Sequence, residues 1–315
     1  MTVSPAATQP PHVPGALVYD FDVHHDPALL RDSIRELARE LVDAVKAKGA
    51  CEFMAEIAEP LPVQVFLKML GLPLDRMALY RALVKEHMAS VGTGDHSGAV
   101  LRSLRITEAM RDVALARRDD PQDDILSLLW QIEIEGQPTT IEDIENYSVL
   151  LFIAGLDTVM NGMGLAMHGL ALDPALQAKL RAEPRLIPEA SEETLRRYTF
   201  TVPVRRVTQE TELCGAKLLP GDIVNIFLPS ADLDPREFPF PEQYRLAREN
   251  NVHVAFGIGP HRCLGSHLAR VELQVLYEEM LADLPQFRLD PTNPPTWHGG
   301  HVIGPETVHL VWTPE

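Results

Sequence analysis

One stretch near the C-terminal end constrains this chain more than any other. Residues 256–265 read FGIGPHRCLG, with three glycines and a proline around Cys263. Glycine and proline give a loop its shape without adding apolar side chains to a core. Apolar residues at helical spacing follow and predict an amphipathic helix over residues 266–284. The pattern therefore places Cys263 just before a helix N-terminus, where free backbone N–H groups favour a thiolate.

Two interpretations of Cys263 follow from the residues alone. A free cysteine is commonly a small buried apolar residue without a chemical role. A thiolate held by backbone donors in a shielded loop is instead a soft ligand suited to iron. The glycines and the adjacent pair His261 and Arg262 favour the ligand, because neither feature helps a cysteine to pack inside a core.

The stretch closely resembles the haem-binding signature of the cytochrome P-450 family. That signature is Phe, two residues, Gly, one residue, His or Arg, one residue, Cys, one residue, Gly. The residues of this chain that fall on it are Phe256, Gly259, His261, Cys263 and Gly265. The resemblance implies that Cys263 is the thiolate ligand of iron in haem b (iron protoporphyrin IX). It also implies that the glycines let the backbone approach the porphyrin and donate hydrogen bonds to the sulfur.

Composition limits the remaining classes of function. The formal net charge of −17 argues against nucleic acid and against an anionic membrane as partners. The three scattered cysteines are too few for a disulfide framework and fit a reducing cytoplasm. Residues 1–14 are rich in proline and lack the pattern of a signal peptide, so we expect an extended or disordered arm. We expect one haem domain over residues 1–315.

A long apolar segment predicts a central helix over residues 141–172. Residues 148–172 are apolar enough to raise the question of a membrane span. Asp157, Asn161 and His168 interrupt that part, and charges at the middle of a span are costly. We therefore expect a buried helix of a soluble protein.

The centre of this helix reads AGLDT and carries Ala154, Gly155, Asp157 and Thr158. From the residues alone, the small pair is either a notch for helix packing or a place where a flat ligand approaches. Thr158 can also bond back to a backbone carbonyl and distort the helix. The segment resembles the oxygen-binding motif of the same family. This implies that Asp157 and Thr158 relay protons and that Ala154 and Gly155 make room for the ligand.

A Glu-x-x-Arg spacing occurs at Glu193 and Arg196, inside a helix predicted over residues 188–198. Taken alone, such a pair is usually a surface ion pair of little energetic value. In the family, the matching pair is buried and locks to a third residue further along the chain. Arg245 and Arg248 are the alternatives for that third partner.

The resemblance assigns roles to four more residues. Arg205 and His261 match residues that anchor the haem propionates. From the residues alone, Arg205 is either a surface charge on a strand or a residue buried against an anion. His301 and Val302 match a C-terminal turn whose side chains point into the substrate pocket.

The predicted fold class is mainly α with a smaller β region, as in the triangular haem fold of the family. Helices are predicted over residues 29–48, 53–70, 75–90, 99–118 and 125–133 besides those above, and a connection over 91–98. Strands are predicted over residues 202–207, 214–218 and 222–227, with a type II turn at Pro220–Gly221.

One part of the family pattern has no counterpart. The resemblance is strongest to the camphor-hydroxylase branch, where a long segment lies between the equivalents of residues 29 and 34. That segment carries strands of the first sheet and the B–C helix region that roofs the substrate pocket. Three explanations remain open: the segment is deleted, it is omitted from this sequence, or the chain is a minimal variant.

The implied function is monooxygenation of a small apolar substrate such as a terpenoid. Electrons are expected from an external ferredoxin and its reductase, with docking at a basic patch that contains Arg262 and Arg270. We expect a cytoplasmic monomer. The alternatives are a haem-binding protein without monooxygenase activity, a peroxide-driven haem-thiolate enzyme, and a remnant that cannot hold haem.

Overall fold

The computed structural model describes residues 27–91, 96–134 and 136–314. Helices predominate within these ranges and the strands are short, which confirms the predicted fold class. The helices are α1 (Pro27–Lys46), α2 (Pro60–Leu70), α3 (Met77–Val91), α4 (His96–Asp119), α5 (Ile125–Leu129), α6 (Ile141–Leu172), α7 (Pro174–Ala182), α8 (Ile187–Arg197), α9 (Leu228–Ala231) and α10 (Ser266–Asp283).

The strands form five small antiparallel sheets within the described part of the chain. β1, β11 and β8 make a three-stranded sheet, and the pairs β9–β10, β2–β3, β4–β7 and β5–β6 make the others. Their bounds are β1 (Ala50–Glu52), β2 (Glu133–Ile134), β3 (Gln137–Pro138), β4 (Val204–Arg206), β5 (Thr211–Leu213), β6 (Ala216–Leu218), β7 (Ile223–Asn225), β8 (Arg288–Leu289), β9 (Thr296–His298), β10 (Gly304–Thr307) and β11 (His309–Val311).

Helix α6 passes between two hydrophobic cores. Its first half, with Ile144 and Phe152, belongs to one cluster of buried residues. Its second half, with Met163 and Met167, belongs to the other. In the described ranges, α6 is the one helix long and apolar enough to suit a membrane span, and 39% of its most apolar stretch is buried. Its place between the cores therefore accounts for part of that composition.

The bounds of α6 agree with the prediction because local signals set both ends. Thr140 and Asp143 form a capping box, in which the Thr140 hydroxyl accepts the Asp143 N–H. At the other end, Pro174 cannot continue the hydrogen-bond pattern of α6. It instead opens α7, whose N-cap Asp173 accepts the Leu176 N–H at 2.9 Å. The sequence-based prediction missed α7.

Ion pairs fix α10, the helix that follows the cysteine loop, to α1. Arg31 and Arg35 donate to Glu278 at 2.5 and 2.8 Å, and Arg39 donates to Glu279 at 3.1 Å. Helix α1 is continuous through residues 29–34, where the family pattern breaks. The predicted arm at residues 1–14 lies outside the described residues, and so do residues 92–95 of the predicted connection over 91–98. Residues 96–98 belong to α4.

Three other predicted elements differ from the structure. The helix over residues 53–70 is predicted with an early interruption at Pro60 and Pro62, and the break does fall at Pro60, which lacks the N–H that a continuous helix requires. The difference is that the part before the break is a π-helical turn at Met54–Ala58, and α2 follows it. The helix predicted over 125–133 ends at Leu129. The strand predicted over 214–218 begins with a turn, since Cys214 and Gly215 have positive φ angles of 51° and 79° and join β5 to β6.

Candidate active site

Cys263 lies in a tight loop just ahead of α10, as predicted. Its N–H donates to the Phe256 carbonyl at 2.8 Å, and Gly257 and Gly259 have positive φ angles of 68° and 76°. A Cβ atom added to Gly259 or Gly265 would meet no atom within 4 Å. Cys263 is exposed, so the loop presents its sulfur beside backbone that no side chain covers.

The protonation of Cys263 differs from the expectation. One side of the residue is exposed, but burial against the loop still raises the pKa of the thiol. The Gly265 N–H and the charges of Arg270 and Arg262 act in the opposite direction and do not overcome burial. The helix N-terminus alone therefore does not produce a thiolate. A coordinating metal ion removes the thiol proton outright.

A cluster of charged groups ties the cysteine loop to α8. The Arg270 guanidinium lies 4.6 Å from the centre of the Phe256 ring and donates to Glu192 at 2.6 and 3.0 Å. His253 Nε2 lies 3.2 Å from the same carboxylate. Burial opposes ionisation of Glu192, but the hydrogen bonds from His253 and Arg270 hold its pKa at about 2. Arg270 is thus paired with Glu192 and half-buried, whereas Arg262 of the predicted docking patch is exposed. The patch itself stays a prediction.

The Glu-x-x-Arg pair is buried, and Arg248 is its third partner. Arg196 donates to Glu193 at 2.9 and 2.8 Å, and both residues are 0% exposed. Arg248 Nε lies 2.9 Å from both oxygens of the same carboxylate. Arg245 contributes only its main-chain N–H to Glu193, at 2.9 Å, because its guanidinium lies against the Phe240 ring.

Two guanidiniums share one carboxylate here, so the cluster carries a surplus positive charge. Main-chain carbonyls of residues 232–243, which we call the meander, surround that charge. They accept hydrogen bonds from Arg196 at Asp232 and Pro241, and from Arg248 at Pro239, Phe240 and Gln243. The irregular backbone of the meander is thus a cage of carbonyls that replaces water around buried charge.

At the centre of α6, the two small residues Gly155 and Ala154 have different surroundings. A Cβ atom added to Gly155 would lie 2.6 Å from a ring carbon of Phe66 on α2, so Gly155 serves helix packing. Ala154, one position earlier, is exposed. Its role beside a bound ligand stays a prediction.

The predicted acid and alcohol follow on the same helix, and both are half-buried. The Thr158 hydroxyl donates to the Ala154 carbonyl at 2.8 Å, which is the backward hydrogen bond expected from the sequence. Burial raises the pKa of Asp157, and a positive charge on His298 acts against that shift. Asn161, which the sequence marked only as a polar interruption of the apolar segment, donates to the Asp157 carbonyl at 2.8 Å.

The other predicted residues lie on neighbouring strands. Arg205 is exposed on β4 and donates to the Val204 carbonyl at 2.9 Å. In the structure it is therefore a surface charge on a strand. The Val202 N–H donates to the His301 carbonyl at 2.8 Å, and Val302 is bridged to the same segment. This pairing places the C-terminal turn beside the chain that leads into β4.

One core joins the two halves of the candidate site. Val159 and Met160 directly follow Thr158 on α6, and they pack against the same buried cluster as Phe256 and Leu268. The cysteine loop and the acid–alcohol pair are therefore mounted on a common support. His261 is exposed in the loop, and its role toward a propionate stays a prediction.

The donor set fits haem better than a bare metal ion. Within the described ranges, no three His, Cys, Asp or Glu side chains are grouped so as to hold an ion. Iron bound at Cys263 must then bring its other ligands with it, as a porphyrin does. The uncovered backbone at Gly259 and Gly265 leaves space for such a flat group beside the sulfur.

Comparison with known proteins decides the family. The family model described as cytochrome P-450 matches residues 102–304 of this chain. The chain belongs to the cytochrome P-450 family. It is 37% identical to probable cytochrome P-450 127A1 of Sinorhizobium fredii, over 90% of this chain and 68% of that protein. It is 35% identical to a steroid C26-monooxygenase of Mycolicibacterium smegmatis, over 90% of this chain and 72% of that protein.

Solved structures agree with this assignment. The crystal structure of CYP101J2 superposes with a TM-score of 0.87 at 29% identity, over 99% of this chain and 77% of that one. Cytochromes P-450 are haem b monooxygenases, so the predicted family, fold, enzyme class and cofactor are confirmed. The match leaves nearly a third of the first relative without a counterpart, in keeping with the expected missing segment.

Sequence reasoning missed four residues of the site region. Asn161 lies one helical turn after Asp157, and that spacing was its available signal. Glu192 directly precedes Glu193 of the Glu-x-x-Arg pair, and no spacing of its own marked it as a site residue. His253 and His298 belong to irregular or short-strand segments, where spacing carries little information about contacts.

Proposed function

We propose that this chain is a haem-thiolate monooxygenase that hydroxylates a small apolar substrate with dioxygen. Its electrons come from an external ferredoxin and ferredoxin reductase in the cytoplasm, and it acts as a monomer. Membership of the family supports the reaction class. The observation that carries the proposal is the exposed Cys263 in a loop without covering side chains, on the same core as the acid–alcohol pair.

Each residue of the proposed site has one task. Cys263 holds the iron of haem b, and the exposed side chains of Arg205 and His261 bind its propionates. Arg205 must exchange its bond to the Val204 carbonyl for a carboxylate, which is a stronger, charge-assisted acceptor. Bound haem supplies the redox chemistry by which dioxygen is activated with two electrons.

Asp157 and Thr158 manage protons on the opposite side of the proposed reaction site from the thiolate. Because burial raises the pKa of Asp157, this carboxyl gives and takes a proton more readily near neutral pH than an exposed one. The Thr158 hydroxyl is oriented by its bond to the Ala154 carbonyl. Its oxygen lone pairs remain able to accept a hydrogen bond from a neighbouring donor.

A difference spectrum of the reduced protein with carbon monoxide tests the proposal. The wild type should show the thiolate-type band, and Cys263→Ser should lose it while circular dichroism shows an unchanged helix content. A wild-type spectrum without that band would overturn the proposed function. In that case the alternative that the chain does not hold haem through a thiolate becomes the better explanation.

Turnover of Asp157→Asn separates dioxygen-driven from peroxide-driven chemistry. If Asp157 delivers protons, dioxygen-dependent hydroxylation should fall by about 100-fold to 10,000-fold, while turnover with added peroxide stays close to wild type. Dioxygen-dependent turnover that survives the substitution would show that Asp157 does not deliver the protons. Wild-type turnover with added peroxide and none with dioxygen and a reductant would favour the peroxide-driven enzyme. Loss of both activities would show that the substitution damages the site as a whole.

The ferredoxin is proposed to dock at Arg262, which is exposed next to the cysteine. Ferredoxins are acidic, and this chain is acidic too, so docking depends on local positive charge. Arg262→Glu should slow reduction by ferredoxin and leave the haem spectrum unchanged. Arg105→Glu is the charge-matched control on α4. Equal reduction rates in the two variants would exclude this docking site.

The proposed substrate is a compact apolar molecule such as a terpenoid, met by Val302 and His301 of the C-terminal turn. The matched relative of M. smegmatis is named for action on steroids, which makes steroids the natural comparison. Substrate-induced spectral shifts with terpenoids and steroids, measured side by side, decide between the two sizes. Tighter binding of steroids would contradict the smaller class.

A further inference from the structure

Asn161 is a buried side chain on which three parts of the molecule converge. It is 0% exposed and donates to the Asp157 carbonyl at 2.8 Å. Its Oδ1 lies 2.9 Å from His298 Nε2 on β9. The backbone of Gly304 on β10 lies close to the same oxygen, because a Cβ atom added at Gly304 would be 1.9 Å from Asn161 Oδ1. Both strands of the C-terminal hairpin thus contact one amide of α6.

The direction of these hydrogen bonds follows from the chemistry of the groups. The Asp157 carbonyl can only accept, so the amide nitrogen of Asn161 faces it and the amide oxygen faces His298. His298 must therefore carry a proton on Nε2, whatever its charge. The result is a chain of donors that runs from the hairpin to the backbone of Asp157.

The hairpin is held in place for this contact. His298 and Gly304 are direct partners in the β9–β10 register, so they reach Asn161 together. Two helical turns further along α6, the ring of His168 meets Trp297 edge to face at 5.0 Å. Adjacent residues of β9 thus contact α6 at two points, and these contacts fix the strand along the helix.

The Asn161 hydrogen bond lies next to a second side-chain hydrogen bond to the backbone of α6. The carbonyl of Ala154 accepts the Thr158 hydroxyl, and the carbonyl of Asp157 accepts the Asn161 amide. Side-chain bonds to carbonyls one turn back compete with the helix's own bonds and bend it locally. The geometry of the acid and the alcohol therefore depends on whether Asn161 keeps its orientation.

We propose that His298 is a positioning residue for Asp157 and Thr158, acting through Asn161 on the backbone of α6. The inference rests on the proposed proton-delivery role of that pair. Without His298, a fully buried amide oxygen loses its donor, and Asn161 reorients to find another. The Asp157 carbonyl is then released, and the acid and alcohol lose their fixed geometry. The hairpin that adjoins the C-terminal turn thereby sets the proton-delivery geometry.

Three variants of the haem-loaded protein test this. His298→Ala should lower the fraction of consumed dioxygen that appears in product by up to about 100-fold, the scale expected when a catalytic group is displaced by about 1 Å. His298→Gln should restore most of that fraction, because its amide N–H can donate to Asn161. Thr296→Ala is the matched control, since it removes a bond to Thr307 within the same hairpin at 2.8 Å and makes no such contact with α6.

A second readout does not depend on activity. Hydrogen exchange followed by mass spectrometry should show faster exchange of the α6 peptide around residues 157–161 in His298→Ala, and wild-type exchange in His298→Gln and Thr296→Ala. Adding Asn161→Ala to His298→Ala should cause no further loss, because both substitutions break one chain of bonds.

Several outcomes would overturn the inference. Wild-type exchange and wild-type coupling in His298→Ala would do so, and so would a Thr296→Ala variant that behaves like His298→Ala. Failure of His298→Gln to restore either readout would show that the N–H donor is not what matters. If Asp157→Asn keeps dioxygen-dependent turnover, the proposed proton-delivery role of Asp157 fails, and the exchange data still decide whether His298 fixes α6.

Discussion

The two halves of the candidate site are held by different kinds of interaction. On the thiolate side, the cysteine loop, α8 and the meander are fixed by carboxylates. Glu192 binds Arg270 and His253, and Glu193 binds Arg196 and Arg248. On the α6 side, close contacts of glycine hold the elements, as where Gly155 meets Phe66 and where Gly304 meets Asn161. Charged clusters fix direction as well as distance, whereas packed contacts fix shape alone. The chain thus fixes the iron ligand more rigidly than the opposite face of the site.

The largest effect should come from breaking the buried charge cluster. Glu193→Ala leaves Arg196 and Arg248 without their carboxylate, and should lower the free energy of unfolding by about 3–5 kcal/mol. Chemical denaturation measures this. The control is Glu86→Ala, which breaks an exposed pair with Arg105 and should cost less than about 1 kcal/mol. Equal losses of unfolding free energy in the two variants would show that the buried cluster stabilises the fold no more than an exposed ion pair does.

Glu272 on α10 is the exception on the thiolate side. It is 1% exposed, its Oε2 has no hydrogen-bond partner in the part of the chain that the structure describes, and burial raises its pKa to about 8. In the unfolded chain its pKa is about 4.3. The folded state therefore holds this proton more tightly, and stability falls as the pH rises from about 4 to about 8.

Glu272→Gln should remove that pH dependence. Relative to wild type, the variant should gain roughly 2–4 kcal/mol of stability between pH 5 and pH 8, at about 1.4 kcal/mol per pH unit for one proton. Unfolding free energies at the two pH values give the difference directly. A gain that is the same at both pH values would show that Glu272 does not titrate in this window.

On the α6 side, Gly155→Ala should disturb packing without touching any charge. The added methyl group would overlap the Phe66 ring, and the net loss should be about 1–2 kcal/mol after the better helix propensity of alanine is counted. Phe66→Leu should recover part of the loss in the double variant. Gly299→Ala, where a Cβ atom would meet nothing within 4 Å, should be close to neutral.

The smallest effect is expected at Glu192, because its carboxylate is about one-third exposed. Its folded pKa of about 2 lies below the value of about 4.3 in the unfolded chain, so its contribution is present above pH 4 and is lost as the pH falls toward 2. Glu192→Gln should cost about 1 kcal/mol at pH 7 and nothing at pH 2. An unchanged acid-unfolding midpoint in the variant would contradict this.

The sequence predicted the features that depend on residues close together in the chain. Thr140, Asp143 and Pro174 set the bounds of α6 through local bonds, and the spacing around Cys263 placed the ligand before α10. Fold class and family followed from the same local patterns.

Contacts between distant segments were beyond the sequence. The choice between Arg245 and Arg248 depends on the path of an irregular backbone, in which Ala247 has a positive φ angle of 55°. His298 and Asn161 are 137 residues apart, and nothing in their spacing joins them. Burial likewise reversed the expected pKa shift of Cys263, because desolvation depends on the assembled loop.

The carbonyl cage of the meander joins a local contact to a distant one. Arg196 and Glu193 are three residues apart on α8, so their ion pair needs no other part of the chain. Arg248 is 55 residues from Glu193, and closing that loop costs conformational entropy. The cysteine loop follows Arg248 directly. The iron ligand therefore belongs to a segment whose position depends on a contact that local structure alone cannot supply.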